Sequence, residues 1–122
     1  MLPADTSVWV EHLRYGEPRL ASLLNAGEVL CHPFDVGELA CGNLRRRGEI
    51  FDLLASLPAI GKAGDSEVLR FIESHRLHGG GLGLVDGHLL ASCALDRRRL
   101  WTLDERLAKT ARLLGIAAQI DR

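Results

Sequence analysis

Short apolar runs alternate along the chain with longer segments in which apolar residues recur every three or four positions. The first pattern is typical of buried strands, and the second is typical of amphipathic helices. The pattern predicts strands at residues 1–5, 28–32 and 100–103, a possible last strand at 116–120, and either a weak edge strand or a loop at 58–64. It predicts helices at 6–14, 18–26, 34–46, 49–57, 65–77, 84–95 and 105–114. This alternation predicts an α/β protein whose parallel sheet is covered by helices on both faces.

Several local features refine these elements. The segment 84–95 carries apolar residues around almost its whole circumference, which predicts a buried helix. Pro3 is unusual in a strand because it cannot donate to a sheet ladder. Asp65 or Ser66 is expected to cap the helix that begins there. The glycine-rich stretch 79–83 lacks the Lys-Ser/Thr of a phosphate-binding loop, so a flexible turn is favoured over a phosphate cradle.

Length and composition indicate one domain spanning residues 1–122, with 47% hydrophobic and 25% charged residues. No apolar run approaches the ~18–20 residues that cross a bilayer, and nothing at the N-terminus resembles a signal peptide. These observations predict a cytoplasmic protein without membrane contact. Cys31, Cys41 and Cys93 form no metal-ligand or disulfide pattern and are expected to be small buried residues.

The net charge of −1 argues against a protein that coats nucleic acid by bulk electrostatics. Two arginine runs remain, Arg45-Arg46-Arg47 and Arg97-Arg98-Arg99. Solvated helix ends are the favoured interpretation of both runs, since cations are stabilising at a helix C-terminus. Contact with RNA phosphates, or with an acidic stretch of a partner, is the functional alternative.

Four carboxylates lie where an apolar run gives way to a helical segment: Asp5, Glu38, Asp86 and Asp104. Ligands of open α/β sheets bind outside the carboxyl ends of the strands, so these acids are expected to converge on one pocket. At about 5 Å, each pair would repel by roughly 3 kcal/mol at an effective dielectric near 20. A divalent cation such as Mg²⁺ removes that cost, because it prefers oxygen ligands. The constellation therefore suggests metal-dependent hydrolysis.

Each acid also has a purely structural interpretation. Asp5, Asp86 and Asp104 stand where helix N-caps are favoured, and Thr102-x-x-Glu105 fits a capping box. Glu38 lies away from the apolar stripe of its helix and would then face water. Asp35 competes with Glu38 for the same role.

Four segments in series resemble VapC-type toxins of the PIN-domain family. They are Asp5–Arg14 (DTSVWVEHLR), His32–Ala40 (HPFDVGELA), Gly83–Ser92 (GLVDGHLLAS) and Leu100–Leu107 (LWTLDERL). The resemblance spans nearly the whole chain and implies a PIN-like three-layer α/β/α fold with a central parallel sheet of four to five strands. Pro3-Ala4, and Gly61 with Gly64, depart from the family's usual strand residues.

The resemblance also implies the toxin of a type II toxin–antitoxin system, acting as an endoribonuclease that depends on Mg²⁺ or Mn²⁺. It assigns catalysis and metal binding to Asp5, Glu38, Asp86 and Asp104, and Thr6 and Thr102 are expected to hydrogen-bond these carboxylates. The partners it implies are RNA, a VapB-type antitoxin and a second toxin copy within a larger complex, with DNA contacts made only through the antitoxin.

Two other classes remain open from the sequence. A non-catalytic PIN-like module that binds RNA or protein would share the fold. A phosphoacceptor signalling domain would also place acids at strand ends. That class usually needs a positioned Lys late in the chain, and the only late Lys in the sequence, Lys109, falls within a predicted helix. Packing is favoured over catalysis for His88 and over base stacking for Trp9 and Trp101.

Overall fold

The computed structural model describes residues 1–120. Helices dominate it, and two strands of two residues each form the sheet. In chain order the elements are β1 Leu2–Pro3, α1 Thr6–Tyr15, α2 Pro18–Asn25, β2 Val29–Leu30, α3 Pro33–Cys41, α4 Arg47–Ser56, α5 Asp65–Ser74, α6 Leu84–Leu95 and α7 Glu105–Leu113.

The sheet is parallel, as predicted. In its register Leu2 lies opposite Val29 and Pro3 lies opposite Leu30. Isolated parallel bridges continue it on both sides, joining Ala4 to Trp101, Cys31 to Ala59, and Leu100 to Ala117. Of the predicted four to five strands, two are therefore formed as strands, and the segments at 59, 100–101 and 117 contribute single bridges.

Pro3 fits this sheet because it takes part through its carbonyl group. The Trp101 amide donates to the Pro3 oxygen over 2.9 Å, and the Leu2 amide donates to Glu28 over 2.9 Å. These hydrogen bonds use the Leu2 amide and the Pro3 carbonyl, so neither of them needs the missing proline N–H.

The two faces of the sheet pack against different helices, as the alternation along the strands requires. Val29 and Cys31 belong to a core cluster that includes Trp9, and Leu30 between them belongs to a second cluster. The first cluster draws on α1 to α4 through Val8, Leu20, Leu39 and Leu54. The second draws on α6 and α7 through Leu89, Leu90, Cys93, Leu107 and Ala111. Helices on both faces, predicted from the sequence, are confirmed.

The helix α6 is the buried helix that the sequence predicted, since Gly87 to Cys93 are all buried. Gly87 lets α5 approach closely. A Cβ atom at Gly87 would lie 3.1 Å from Ile72 Cδ1, and Val68 packs with Ala91 in the same region. This packing fixes the end of α6 that carries Asp86.

Several predicted boundaries were wrong. The helix predicted at 34–46 ends at Cys41, and α4 begins separately after Arg46, whose φ of 52° is left-handed. Gly64, not Asp65 or Ser66, is the N-cap of α5, and its amide donates to Glu67 over 2.9 Å. Cys41 is exposed, whereas Cys31 and Cys93 are buried as expected. Within residues 1–120, no helix has the length and apolar character needed to span a bilayer.

Candidate active site

Asp5 follows β1 after one residue, Ala4, and is 4% exposed. Its Oδ1 accepts from the Ser7 hydroxyl over 2.5 Å and from the Val8 amide over 3.3 Å, so it also caps α1. Its Oδ2 accepts from the Thr102 hydroxyl over 2.5 Å. Burial raises the pKa of Asp5, and these hydrogen bonds oppose that shift by favouring the charged form. Asp5 is thus a buried carboxylate held by side chains from both ends of the chain.

Thr6 joins two further acids. Its hydroxyl lies 2.9 Å from Asp35 Oδ1 and 2.9 Å from Glu38 Oε1, and its amide donates to Asp35 over 3.2 Å. Asp35 is 1% exposed, whereas Glu38 is exposed on the next turn of α3. Burial raises the pKa of Asp35 to about 7, and the charges of Asp5 and Glu38 contribute to the same shift. Asp35 and Glu38 therefore occupy one side of the site together, with Asp35 deeper.

Thr102 connects Asp5 to Asp104. While its hydroxyl donates to Asp5, it accepts from the Asp104 amide over 3.1 Å. Asp104 Oδ1 accepts from the amides of Arg106 and Leu107 over 2.9 and 3.2 Å, which makes Asp104 the N-cap of α7. The capping box predicted from Thr102 and Glu105 was wrong, because the Thr102 hydroxyl is bound to Asp5.

Asp86 and Asp104 line one cavity of about 430 Å³, together with Gly81, Glu105 and Arg106. Asp86 Oδ2 accepts from the Gly83 amide over 3.1 Å at the start of α6. The hydrogen bonds described for these two carboxylates use Oδ2 of Asp86 and Oδ1 of Asp104. Each of the two residues can therefore accept from backbone amides at a helix N-terminus with one carboxylate oxygen and bind a ligand with the other.

The four predicted acids lie in linked pairs, and the cavity lined by Asp86 and Asp104 includes neither Asp5 nor Glu38, so the expected convergence on one pocket is not found among the described residues. Thr102 links Asp5 to Asp104, the cavity links Asp104 to Asp86, and Thr6, next to Asp5 in the chain, binds Glu38. Among residues 1–120, no three His, Cys, Asp or Glu side chains are grouped so that they could hold one metal ion. The capping interpretation is correct for Asp5 and Asp104, and Asp86 accepts from the amide that precedes its helix.

Sequence reasoning missed two contributors to this site. Ser7 donates to Asp5 and accepts from the Leu103 amide over 2.8 Å, which ties the two strand ends together. Its place beside Asp5 in the D-T-S segment was the available signal. Arg106 donates from Nη1 to the Gly81 carbonyl over 3.1 Å, so the glycine-rich turn binds an arginine of α7. No local pattern indicated that pairing.

The two arginine runs divide into residues with different contacts. Arg47 donates to the carbonyls of Gly42 and Ala40 at the end of α3, as a cation at a helix C-terminus should. Arg46 and Glu49 form an exposed pair at 3.9 Å, and Arg98 lies 3.6 Å from Asp96. Arg45 and Arg97 are exposed.

The histidine and tryptophan residues near the site are packed. Trp9 and Trp101 are 0% and 3% exposed, in keeping with the packing interpretation. His88 is 3% exposed, its Nε2 lies 3.7 Å from Asp65, and its Nδ1 has no hydrogen-bond partner within residues 1–120. His32 accepts from the Phe34 amide through Nδ1, and burial lowers its pKa to about 4.

A parallel sheet between helices, with carboxylates beyond its strand ends, places the chain among α/β proteins with an acidic site at the sheet edge. No protein-family model matches the chain. Two curated relatives are each named Ribonuclease VapC32, from Mycobacterium tuberculosis strains CDC 1551 / Oshkosh and ATCC 25618 / H37Rv. Each is 46% identical over 118 residues, which cover 96% of this chain and 95% of the relative. The chain therefore belongs to the VapC family of PIN-domain toxins, as its sequence predicted.

Proposed function

We propose that the chain is the toxin of a type II toxin–antitoxin pair and cleaves RNA phosphodiesters endonucleolytically with Mg²⁺ or Mn²⁺. The observation that carries this proposal is the identity, along nearly the whole chain, to proteins named ribonucleases. The linked carboxylates at the sheet edge support it, because they are the residue type that such chemistry needs.

The chemistry of the donors fits a hard divalent cation. Every candidate ligand is a carboxylate, and Asp86 and Asp104 line one cavity. Mg²⁺ keeps several waters and is commonly held by one or two carboxylates, so a ready-made group of three is not required. Burial raises the pKa of Asp35 to about 7, and the neighbouring charges of Asp5 and Glu38 add to that shift, which supports a site where a cation would be favourable.

Asp5, Glu38, Asp86 and Asp104 are the residues that would hold one or two ions. The bound cation would make a water easier to deprotonate and would stabilise charge on the phosphate. Ser7 and Thr102 fix both oxygens of Asp5, and Thr6 fixes Glu38 beside Asp35. These hydroxyl groups hold the carboxylates of Asp5 and Glu38 in fixed orientations.

The finer description of the fold is also a proposal. The segments at 59 and 117 lie next to the central strands, where single bridges hold them. We assign them to the edges of a four- to five-stranded PIN sheet in a single domain.

The proposed partners follow from family membership. A VapB-type antitoxin would insert a basic side chain among the carboxylates and cover an apolar groove with a helix. A toxin dimer would form within the toxin–antitoxin complex, and only the antitoxin would contact DNA.

The decisive experiment measures RNA cleavage and metal binding together. Mn²⁺ is titrated into the purified wild type and into the variants Asp5→Asn and Asp86→Asn, with exposed Asp52→Asn as the matched control. We expect Mn²⁺-dependent cleavage by the wild type and Asp52→Asn, and a loss of at least a hundredfold in both site variants, since each removes a charged ligand.

The other outcomes discriminate between the alternatives. Equal cleavage by the wild type and Asp5→Asn would remove Asp5 from the mechanism. A wild type that binds RNA or antitoxin but neither Mn²⁺ nor Mg²⁺, and cuts nothing, would instead be the non-catalytic module.

A further inference from the structure

An arginine lines the cavity that Asp86 and Asp104 share, which we name the acidic cavity. Arg106 is the second residue of α7 and lines this cavity of about 430 Å³ together with Gly81. Its backbone amide donates to Asp104 Oδ1 over 2.9 Å, so a proposed cation-binding residue also fixes the position of Arg106. The acidic cavity therefore combines carboxylates with a guanidinium group.

The guanidinium group of Arg106 is held by the backbone and not by the acids around it. Its Nη1 donates to the Gly81 carbonyl over 3.1 Å. Among residues 1–120, no ion pair joins Arg106 to the carboxylates that line the same cavity. The bond to Gly81 uses only one of the N–H donors of arginine. The same group can therefore keep the Gly81 carbonyl and bind a phosphate oxygen.

The backbone at Gly81 leaves room for this side chain. Its φ of +83° is left-handed, and a Cβ atom there would lie 2.8 Å from Arg106 Nη1 and 3.2 Å from Arg106 Cζ. Gly79 belongs to the same turn and has a φ of +75°, but a Cβ atom there would meet nothing within 4 Å. A side chain at position 81 would therefore displace Arg106, whereas one at position 79 would not.

We propose that Arg106 binds the RNA phosphate that is cut, and that Gly81 is a positioning residue that holds its guanidinium group at the acidic cavity. This inference rests on the proposed function and names a substrate contact of that site. A phosphate that approaches Asp86 and Asp104 enters the cavity that Arg106 lines. Arginine binds phosphate oxygens bidentately, and its charge offsets part of the repulsion between RNA and these carboxylates.

The first test measures RNA binding without cleavage. Arg106→Gln and Arg106→Lys are compared with the wild type, and Arg70→Gln removes the same charge from an exposed position outside the acidic cavity. The probe is a fluorescein-labelled RNA decamer that spans a cleavage site mapped with the wild type and Mn²⁺. Its binding is followed by anisotropy in EDTA. Decamers that carry one neutral methylphosphonate linkage at each position in turn locate the phosphate that is bound.

We expect Arg106→Gln to bind the decamer about tenfold more weakly than the wild type, because charge-assisted hydrogen bonds are lost. Arg106→Lys should bind with intermediate affinity, since it keeps the charge and loses the planar fork. Arg70→Gln should change the affinity by less than about twofold. One methylphosphonate position should weaken binding by the wild type and leave binding by Arg106→Gln unchanged. That position should be the linkage that the wild type cuts.

The second test asks whether Gly81 acts through Arg106. Gly81→Ala and Gly79→Ala are each made in the wild type and in Arg106→Gln. We expect Gly81→Ala to weaken RNA binding roughly fivefold relative to Gly79→Ala in the wild type, and the two to bind equally once Arg106 is replaced. Thermal melting shows that each variant is folded at the assay temperature. A contact that only stabilised the fold would not produce this coupling in RNA affinity.

The opposite results overturn the inference in distinguishable ways. An RNA affinity of Arg106→Gln equal to that of the wild type, with a lower melting temperature, would leave Arg106 a structural tether of the turn. Equal weakening by Arg106→Gln and Arg70→Gln would show bulk electrostatics. Both results would leave the proposed function intact. A sensitive linkage other than the one that is cut would overturn the assignment to that phosphate. A wild type that cuts no RNA would overturn the inference and the proposed function together.

Discussion

Thr6 has one hydroxyl proton and two carboxylate neighbours. Its oxygen lies 2.9 Å from both Asp35 and Glu38. If both acids were ionised, one of these contacts would join two oxygens without a proton between them. Because the pKa of Asp35 is about 7, its carboxyl group carries a proton in a large share of molecules near neutral pH. That proton fills the contact that would otherwise lack one. When no cation is bound, the combined charge of Asp35 and Glu38 therefore depends on proton uptake by Asp35.

Asp35→Asn tests this proton balance through stability. Folded Asp35 keeps its proton up to about pH 7, whereas the unfolded chain releases it near 3.8, so the wild type loses stability as pH rises through that window. We expect the difference in free energy of unfolding between Asp35→Asn and the wild type to grow in favour of the variant by about 1.4 kcal/mol per pH unit in this window. Above the window the difference should level off. Urea unfolding without divalent cations measures it. Asp52→Asn should show no such trend, and parallel curves for wild type and Asp35→Asn would contradict the assignment.

Gly79 and Gly81 form a matched pair in the glycine-rich turn. Their φ angles are +75° and +83°, but a Cβ atom at Gly81 would lie 2.8 Å from Arg106 Nη1, and one at Gly79 would meet nothing within 4 Å. Gly79→Ala should cost about 1–2 kcal/mol from backbone strain alone. Gly81→Ala should cost roughly 1 kcal/mol more, because Arg106 must leave the Gly81 carbonyl. Equal unfolding midpoints for both variants would show that the Arg106 contact contributes nothing.

The helices were more predictable than the strands. The all-round apolar character of residues 84–95 identified α6 as a buried helix, because a helix that packs on all sides needs apolar residues all round. The extent of a strand depends on pairing between segments that are far apart in the chain. The sequence therefore did not show that Leu100 with Ala117, and Cys31 with Ala59, form only single bridges. The end of α3 at Cys41 was missed because apolar spacing continues to Leu44 beyond Gly42.

The acids of the site were identifiable by residue type, but their arrangement was not. Thr102 fits a local capping box, yet its hydroxyl is bound to Asp5, 97 residues away. From the sequence, Asp35 was considered only as an alternative to Glu38. In the structure both carboxylates lie within hydrogen-bond distance of the Thr6 hydroxyl. Tertiary contacts of this kind outweigh local patterns because a buried carboxylate left without donors is costly.

The capping and catalytic roles of Asp104 can be separated at α7. Asn caps a helix about as well as Asp does, whereas Ala removes a cap worth about 1 kcal/mol. We expect Asp104→Asn to unfold at the wild-type urea concentration and Asp104→Ala to unfold earlier. Both should lose Mn²⁺-dependent RNA cleavage, because neither offers a charged oxygen. Cleavage by Asp104→Asn at the wild-type rate would leave Asp104 only its capping role.

The whole molecule combines a net charge of −1 with a local grouping of carboxylates that Thr6 and Thr102 join. Thr102 joins two of these carboxylates, since its hydroxyl donates to Asp5 and accepts from the Asp104 amide. A near-neutral total keeps non-specific attraction to nucleic acid weak, so the proposed binding of RNA depends on local contacts. The fold brings Thr102 to Asp5 by placing the segment at 100–101 between β1 and the segment at 117.

Cation binding at the acidic site should be measurable as stability of the entire fold, independently of cleavage. A ligand that binds only the folded state stabilises it by RT ln(1 + [L]/Kd), which is about 1.4 kcal/mol at a tenfold excess over Kd. We expect Mn²⁺ to raise the melting temperature of the wild type by roughly 3–6 °C relative to NaCl of equal ionic strength. The double variant Asp86→Asn/Asp104→Asn should lose this shift, and the exposed pair Asp52→Asn/Glu73→Gln should keep it. A shift of equal size in all three proteins would mean that Mn²⁺ acts on surface charge in general, since only the first double variant alters the cavity shared by Asp86 and Asp104.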